Sequence, residues 1–396
     1  MRPIPASSLI ISAGYGITYD TSVYQGIALQ MAQQAPLATK SSTVQNSPAC
    51  QLTLANGFNP CSQSTAQVFG VDPNYRVGYA QTWNLRVQRD LPGSLQMLAT
   101  YTGIKGTHGA QWFLPNTNPA GAANPCSSCP VGFEYATSHG NSTREAAQVQ
   151  LRRRLHSGFT ATVLYTYSKS IDDVSALGGQ GAVTQSATSN ESTTTQSTAS
   201  AAPTIAQDWR NLAAERGLST FDQRHLVSAV IQYTTGMGMS GGTLLSGWRG
   251  RLYKEWTVQT QITAGTGLPQ TPIDSSVVVA GYSAFVRPNV TGAPLYAAPP
   301  GLFLNPAAYA PPAPGQWGDA RRDGITGPNQ FSLNAAMVRT FRLDSKINLD
   351  VQIAAANALN HVSYTAWVPN INSTQFGLPA AANSMRSIQT SLRLRF

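Results

Sequence analysis

The sequence carries little charge. Only 11% of its 396 residues are Asp, Glu, Lys or Arg, well below the roughly 25% typical of a soluble domain. The formal net charge is +9, but no broad basic face with interleaved aromatic residues, as nucleic-acid-binding proteins carry, is visible. Because the apolar fraction is also only 42%, the composition argues against a coiled coil, an acidic disordered tail and a DNA-binding basic domain.

Long apolar runs are missing as well. No stretch approaches 18 uninterrupted apolar residues, which excludes a transmembrane helix. The first five residues, Met1 to Pro5, do not start a signal peptide, because no apolar core and no small-residue cleavage site follow. Taken alone, this start would predict a cytoplasmic protein. The membrane class that remains compatible is the β-barrel, whose alternating strands are polar on average.

The sequence also lacks a catalytic constellation. Its five histidines are scattered, and neither H-E-x-x-H, G-x-S-x-G nor a glycine-rich phosphate loop occurs. Asp172 and Asp173 could bind a cation, although a solvated strand end is the simpler interpretation. Asp222 and Arg224 share one face of a predicted strand and favour a local ion pair. Since no nucleophile, base and orienting residue assemble, we predict no enzyme, no cofactor and no metal site.

Only four cysteines are present, in two predicted loops. Cys50 and Cys61 lie in the first loop, and Cys126 and Cys129 form C-x2-C in the second. A zinc site needs four ligands, and the two pairs are separated without a histidine pair nearby. One disulfide within each loop fits an oxidising compartment. Free or mispaired thiols are the alternative.

What the sequence has in abundance is alternation with a period of two. At the C-terminus, Ile388, Thr390, Leu392, Leu394 and Phe396 share one face, with polar residues between them. About ten segments follow this template. Most are 12–15 residues long, whereas strands of soluble proteins average about 5–6 residues and a membrane-spanning strand needs about 9–11. The predicted strands cover residues 9–20, 76–90, 93–106, 143–156, 158–171, 221–235, 251–265, 329–342, 345–358 and 385–396.

The connections between these segments alternate between long and short. Short or medium connections cover residues 91–92, 156–157, 236–250 and 343–344, and long ones lie between them. Outer-membrane barrels have this arrangement, with short periplasmic turns and longer extracellular loops. We therefore predict an all-β fold: an antiparallel up-and-down meander of about ten long strands, forming a partial or small outer-membrane β-barrel with long extracellular loops. Residues 1–396 make a single transmembrane barrel segment with both ends on the periplasmic side.

The last strand carries a more specific pattern. Phe396 is a terminal aromatic residue, and Leu394, Leu392 and Ile388 precede it at even spacing. The pattern resembles the recognition signal read by the outer-membrane barrel assembly machinery. An ordinary amphipathic last strand is the alternative.

Several segments resemble the C-terminal barrel of the TonB-dependent transporters, in particular the Oar-like subgroup. Residues 13–20 (AGYGITYD), 165–173 (YTYSKSIDD) and 221–225 (FDQRH) match strand motifs of that family. Arg287-Pro288-Asn289, residues 305–309 (NPAAY) and the closing strand from Arg386 to Phe396 follow in the expected order. Residues 357–361 (NALNH) differ from the FNxFNH motif of the family. The missing phenylalanines reduce the apolar area, but the predicted fold stays the same.

The resemblance implies a barrel of about 22 strands that encloses a plug, and a protein made with a signal peptide, often a further N-terminal domain, and a TonB box on the plug. None of these is visible in the sequence. We therefore expect the C-terminal part of a longer outer-membrane transporter for an unidentified solute, not competent alone. Its partners would be outer-membrane lipid, the assembly machinery and, through a plug that this chain lacks, TonB. Nucleic acid is not expected, and no substrate-binding residue is predicted.

Two alternatives stay open. A free-standing ten-stranded outer-membrane pore or adhesin fits the even strand number and the terminal Phe396. A secreted all-β binding protein would need a soluble fold, which the long strands and the sorted connections disfavour.

Overall fold

The fold is dominated by one large antiparallel sheet. The computed structural model describes residues 7–32, 34, 68–113, 115–116, 118–119, 121–129, 133–173, 206–236, 247–275, 286–342 and 347–396. The ten long strands are β1 (Ile10–Asp20), β2 (Gly78–Leu91), β3 (Leu95–Phe113), β4 (Glu134–His156), β5 (Phe159–Asp172), β6 (His225–Thr234), β7 (Thr257–Gly265), β8 (Gln330–Arg342), β9 (Asn348–Ala356) and β10 (Ser387–Arg395).

Each long strand pairs with the next one along the chain, so the sheet is an up-and-down meander. The prediction of ten long strands in this topology is confirmed. Within the described ranges, β1 and β10 pair only with β2 and β9, respectively, and the sheet is open between them. We call the edge with the short connections the turn end and the opposite edge the loop end.

Shorter elements occupy the loop end. Phe69–Val71 pairs in parallel with β4, and Gly217–Leu218 pairs with β5. Three small two-stranded sheets join Pro269–Gln270 to Ile325–Thr326, Asn289–Val290 to Tyr309–Ala310, and Tyr364–Trp367 to Pro379–Ala382. Two 3-10 helices cover Leu212–Glu215 and Pro306–Ala308.

The two α-helices of the described residues lie outside the sheet. Helix α1 (Val23–Ala32) follows β1, and helix α2 (Gly247–Tyr253) precedes β7. Helix α1 contributes Ile27 to a small buried cluster with Phe69 and Ala136. Neither helix has the length and apolar character needed to cross a bilayer, nor does any other helix in the described part of the chain.

The structure corrects two of the predicted strand boundaries at the loop end. Strands β3 and β4 extend beyond the predicted 93–106 and 143–156, to Phe113 and back to Glu134. Their pairing shifts register around Gly109, and such a bulge breaks the period of two. His108 there adopts a positive φ of 59°. The prediction from alternation alone therefore made both strands too short at the loop end.

A third correction concerns the predicted strand 251–265. Its first residues belong to helix α2, and β7 begins only at Thr257. Leu252 and Trp256 are four residues apart, a spacing that fits a helical turn as well as a strand. Glu255 has a positive φ of 64° and separates the two elements.

The fully buried apolar residues of the described chain lie mainly beside the sheet, in the connections at the loop end. Leu304, Ile325, Trp367 and Phe376 form a compact cluster there. We call the described segments 206–224, 266–275, 286–329 and 357–386 the loop cap. The ten long strands form a single sheet, and the three two-stranded sheets of the loop cap are separate from it.

Candidate functional site

The two faces of the sheet differ in chemistry. Residues directly opposite in an antiparallel pair share a face, so the registers trace one face across all ten strands. On one face, Tyr165 lies opposite Val149 and Val227, and Met337 lies opposite Ile353 and Val258. We call this apolar face the outer face.

The opposite face is polar. Gln148 lies opposite Thr166, and Gln232 lies opposite Gln259. Asp350 accepts a hydrogen bond from Thr340 at 2.6 Å and pairs with Arg395 at 2.8 Å across β8, β9 and β10. We call this the inner face, because the loop cap folds onto it.

Strand β5 shows where the cap covers the inner face. Burial alternates along its second half: Tyr165, Tyr167 and Lys169 are exposed, while Thr166, Ser168, Ser170 and Asp172 are buried. The buried row points towards the cap. The Ser170 backbone N–H donates to the Asp222 carboxylate at 2.6 Å, and the Ser170 hydroxyl bonds that of Ser219 at 2.8 Å.

Arg322 joins the cap to the end of β5. Its guanidinium donates to the Asp172 backbone carbonyl at 2.6 Å and to the Asp172 carboxylate, and its Nε donates to the Glu215 carbonyl at 2.8 Å. Asp172 is fully buried and Arg322 is 6% exposed. One arginine therefore connects a barrel strand with two cap segments at a buried position.

A second buried ion pair lies beside the first. Arg287 donates two hydrogen bonds to the Glu215 carboxylate, at 2.7 and 3.1 Å. Gln207 bridges both residues: its backbone N–H donates to Glu215 and its side-chain oxygen accepts from the Arg287 backbone N–H. The fork geometry of arginine suits such a paired contact with a carboxylate. The two ion pairs together tie the end of β5 to the cap segments 206–224 and 286–329.

Asp323 adds a third carboxylate to this region. Burial raises the pKa of its side chain above the ordinary 3.8, and this effect exceeds the opposing effect of Arg322, whose Nη1 lies 3.6 Å away. The carboxylate accepts a hydrogen bond from the Thr271 hydroxyl at 3.0 Å. Burial likewise raises the pKa of Asp222 and of Asp173. The cap thus holds several carboxyl groups out of water.

These contacts correct two interpretations of the sequence. Asp172 is not a solvated strand end, because Arg322 holds it in a buried ion pair. Asp222 accepts from the Ser170 N–H, and no ion pair of Asp222 with Arg224 occurs in the described residues. The pattern of alternation predicts which face a residue takes, but not the loop that covers this face.

In the described part of the chain, no group of three or more His, Cys, Asp or Glu side chains could hold a metal ion. The buried carboxylates of Asp172 and Glu215 are instead paired with Arg322 and Arg287. Sequence reasoning missed Arg322 and Glu215 altogether. Arg287 was noticed only as part of the Arg287-Pro288-Asn289 motif, since nothing local indicates its partner 72 residues away.

The residues of the predicted assembly signal lie on the outer face of the last strand. Ile388, Leu392, Leu394 and Phe396 are exposed, Phe396 to 95%. Leu392 and Leu394 lie opposite Val351 and Leu349 on β9, so they continue the apolar face to the edge of the sheet. Recognition by the assembly machinery stays a prediction.

The cysteine pairs have different outcomes. A disulfide joins Cys126 and Cys129, whose Cα atoms are 5.3 Å apart. Cys50 and Cys61 lie outside the described residues, and their pairing stays a prediction.

A meander of long strands with one apolar and one polar face defines the wall of a membrane β-barrel. Residues 4–389 match the family model described as the outer membrane beta barrel domain. The chain therefore belongs to this family, and its location is the outer membrane. The predicted fold class and location are confirmed.

Solved structures with a similar arrangement are outer-membrane transporters and receptors. The outer membrane transporter YddB from Escherichia coli is 10% identical, with 98% of this chain and 38% of that chain covered at a TM-score of 0.49. FpvA of P. aeruginosa bound to pyoverdine is 10% identical, with 98% of this chain and 31% of that chain covered at a TM-score of 0.44. The copper transporter OprC is 8% identical, with 98% of this chain and 37% of that chain covered at a TM-score of 0.39. The chain spans about a third of their length, and no curated protein matches it.

Proposed function

We propose that the ten strands form part of the wall of a larger outer-membrane transporter of the TonB-dependent type, which takes up a solute that the residues do not identify. The single observation that carries this proposal is the open ten-stranded sheet, in which β1 and β10 do not pair with each other within the described residues. The motifs at residues 13–20, 165–173 and 221–225 support the choice of family.

The physical argument rests on the two edge strands of the open sheet. Strand β1 has 11 residues and β10 has nine, and about half of their backbone groups point away from the paired neighbour. In hydrocarbon each unsatisfied N–H or C=O group costs several kcal/mol. Because such edges do not persist in a bilayer, we infer that further strands complete the wall.

The inner face and the loop cap fit a transport role. Polar side chains line the inner face, as in barrels that hold water or a plug, and the cap folds over its loop end. We infer a role without catalysis, because Arg322 and Arg287 are bound to the carboxylates of Asp172 and Glu215 rather than directed at a cleft. TonB would act through a plug, and the assembly machinery would recognise the last strand.

The first test is to determine the DNA sequence immediately upstream of Met1. An in-frame extension that encodes a plug and a signal peptide would support the transporter. A stop codon there, closely followed by a signal peptide alone, would contradict it and favour the free-standing barrel.

The second test compares the chain alone with the longer reading frame. Each is expressed with an outer-membrane signal peptide, extracted in detergent and analysed by heat-modifiable gel migration and circular dichroism. We expect the longer product, but not the chain alone, to migrate as a folded barrel. Solute uptake by the longer product should be lost in cells without TonB.

The alternative is a ten-stranded pore, for which β1 must pair with β10. A folded chain that opens ohmic channels in planar bilayers by itself would establish this alternative and overturn the proposal.

A further inference from the structure

Two of the sequence motifs meet on the outer face at the loop end. Tyr165, Tyr167 and Lys169 belong to residues 165–173, and Arg224 and His225 belong to residues 221–225. Strand pairing places Tyr167 opposite His225 and Tyr165 opposite Val227. We call these five residues the interfacial patch. Their meeting is a product of the fold, because the two motifs are separated by the whole β5–β6 connection.

The side chains of the patch contact one another. The Tyr165 hydroxyl and His225 Nδ1 are 2.8 Å apart, and the rings of Tyr167 and His225 are 5.2 Å apart. Arg224 precedes β6 beside the inward-facing Ser168, but its guanidinium reaches the Tyr167 ring at 5.9 Å. Such stacking orients a cation while its N–H donors stay available. The patch is therefore a preformed surface rather than a set of independent side chains.

The patch lies where the apolar band of the outer face ends. Along β5 the outward row runs Ala161, Val163, Tyr165, Tyr167, Lys169, and thus changes from aliphatic to tyrosine to lysine. Tyrosine rings favour the level of the lipid headgroups. We therefore expect a lysine one outward position further on to lie at the height of the headgroup phosphates.

The charge of this surface is positive. Neither Lys169 nor Arg224 forms an ion pair in the residues that the structure describes. The nearest outward carboxylate is that of Glu145, opposite Lys169 in the β4–β5 register, and it accepts a hydrogen bond from the Tyr101 hydroxyl. Lys105, the next outward cation, contacts the Thr143 hydroxyl at 3.5 Å.

We propose that the interfacial patch binds the phosphate headgroup of a lipid in the membrane leaflet at the loop end. Arginine binds phosphate oxygens through a pair of donors and lysine binds them as a point charge, and basic clusters beside a membrane select anionic headgroups. The patch binds a lipid rather than a soluble anion, because the tyrosines below it contact the acyl region. This site is independent of the proposed transport and is expected equally in a free-standing barrel.

The test uses the protein as extracted from outer membranes in detergent, together with any strands that complete its wall. Binding of phosphatidic acid is measured by native mass spectrometry and compared with that of diacylglycerol with the same acyl chains. We expect phosphatidic acid to bind, and the double variant Lys169→Gln/Arg224→Gln to bind at least about tenfold more weakly, as for the loss of charge-assisted contacts. Inorganic phosphate should not compete at the same concentration.

The matched control removes two arginines from the outer face at the turn end. Arg89 is exposed there, and Arg153 lies over the Phe159 ring at 5.0 Å. The variant Arg89→Gln/Arg153→Gln loses the same charge and should bind phosphatidic acid as the wild type does. If the Lys169/Arg224 variant does not fold, Lys169→Gln alone, at an exposed position, is used with the same expectation.

Three results would overturn the lipid site. The first is equal binding of phosphatidic acid by the wild type and the patch variant. The second is binding of diacylglycerol as strong as that of phosphatidic acid, and the third is displacement of the lipid by inorganic phosphate. The last would assign the patch to a soluble anion. Loss of solute uptake in the longer protein would leave the lipid result unchanged, so the two proposals fail separately.

Discussion

Arg322 and Asp172 are 150 residues apart in the sequence and form one buried ion pair that joins the loop cap to the barrel wall. The arginine also binds the Asp172 and Glu215 backbone carbonyls. These backbone oxygens accept hydrogen bonds from the Arg322 guanidinium, and a buried charge requires such partners.

Replacement of Arg322 with Met should loosen the cap. The change leaves the Asp172 carboxylate buried without its cation, which costs about 3–5 kcal/mol when a buried pair is broken. We expect faster proteolysis of the cap and an earlier denaturant transition. The double variant Asp172→Asn/Arg322→Met should lose less stability than Arg322→Met. The control Arg321→Met, at an exposed neighbouring position, should unfold as the wild type does.

The stability of the cap should depend on acidic pH through Asp323. Its pKa is raised in the folded protein, so at low pH the carboxyl group is neutral in both states and carries no penalty. As the pH rises from 3.8 through the folded pKa, only the folded state resists ionisation, and stability falls. Denaturant unfolding between these values should show this fall in the wild type but less of it in Asp323→Asn. The assignment would be contradicted if the loss of stability with rising pH were the same in Asp323→Asn as in the wild type and were altered in the partly exposed control Asp208→Asn.

Leu304 should be the most sensitive apolar residue of the cap. It is fully buried with Trp367, Phe376 and Ile325, and a buried Leu→Ala change costs about 2–5 kcal/mol. We expect Leu304→Ala to lower the transition of the cap while heat-modifiable migration of the barrel persists. Leu359→Ala, at 61% exposure, is the matched control and should have little effect.

Gly103 should not tolerate a side chain. A Cβ atom there would lie 2.2 Å from the Trp83 ring, which covers the glycine from the opposite strand. We expect Gly103→Ala to displace Trp83 and to cost about 1–3 kcal/mol, as overpacking does, measured as a lower temperature of the heat-modifiable transition. At Gly16 a Cβ meets nothing within 4 Å, so Gly16→Ala should leave the transition unchanged.

Phe396 should matter for assembly more than for stability. Its side chain is 95% exposed, so Phe396→Ala removes little packing and should change the stability of assembled protein by no more than about 0.5 kcal/mol. We expect a lower amount in the outer membrane, measured by fractionation. Met385→Ala, also highly exposed, tests whether loss of any apolar residue has the same effect, which would refute a specific signal.

The sequence by itself determined the ten strands and their two faces. The bounds of β1, β2, β5, β8, β9 and β10 follow from alternation to within a few residues, because the direction of a side chain in a strand is a local property of the backbone. Where the backbone departs from that rule, at the bulge around Gly109 and in helix α2, the prediction was wrong.

The buried charges and the cap were decided by the tertiary structure alone. Asp172 follows the alternation of β5 onto the inner face, but only the folding of residues 321–323 against it makes that position dry and gives it a cation. The partners of Glu215 and Arg287 and the patch of Arg224 and Tyr167 arise in the same way. A contact between distant segments depends on the path of the loops, and no period in the sequence records that path.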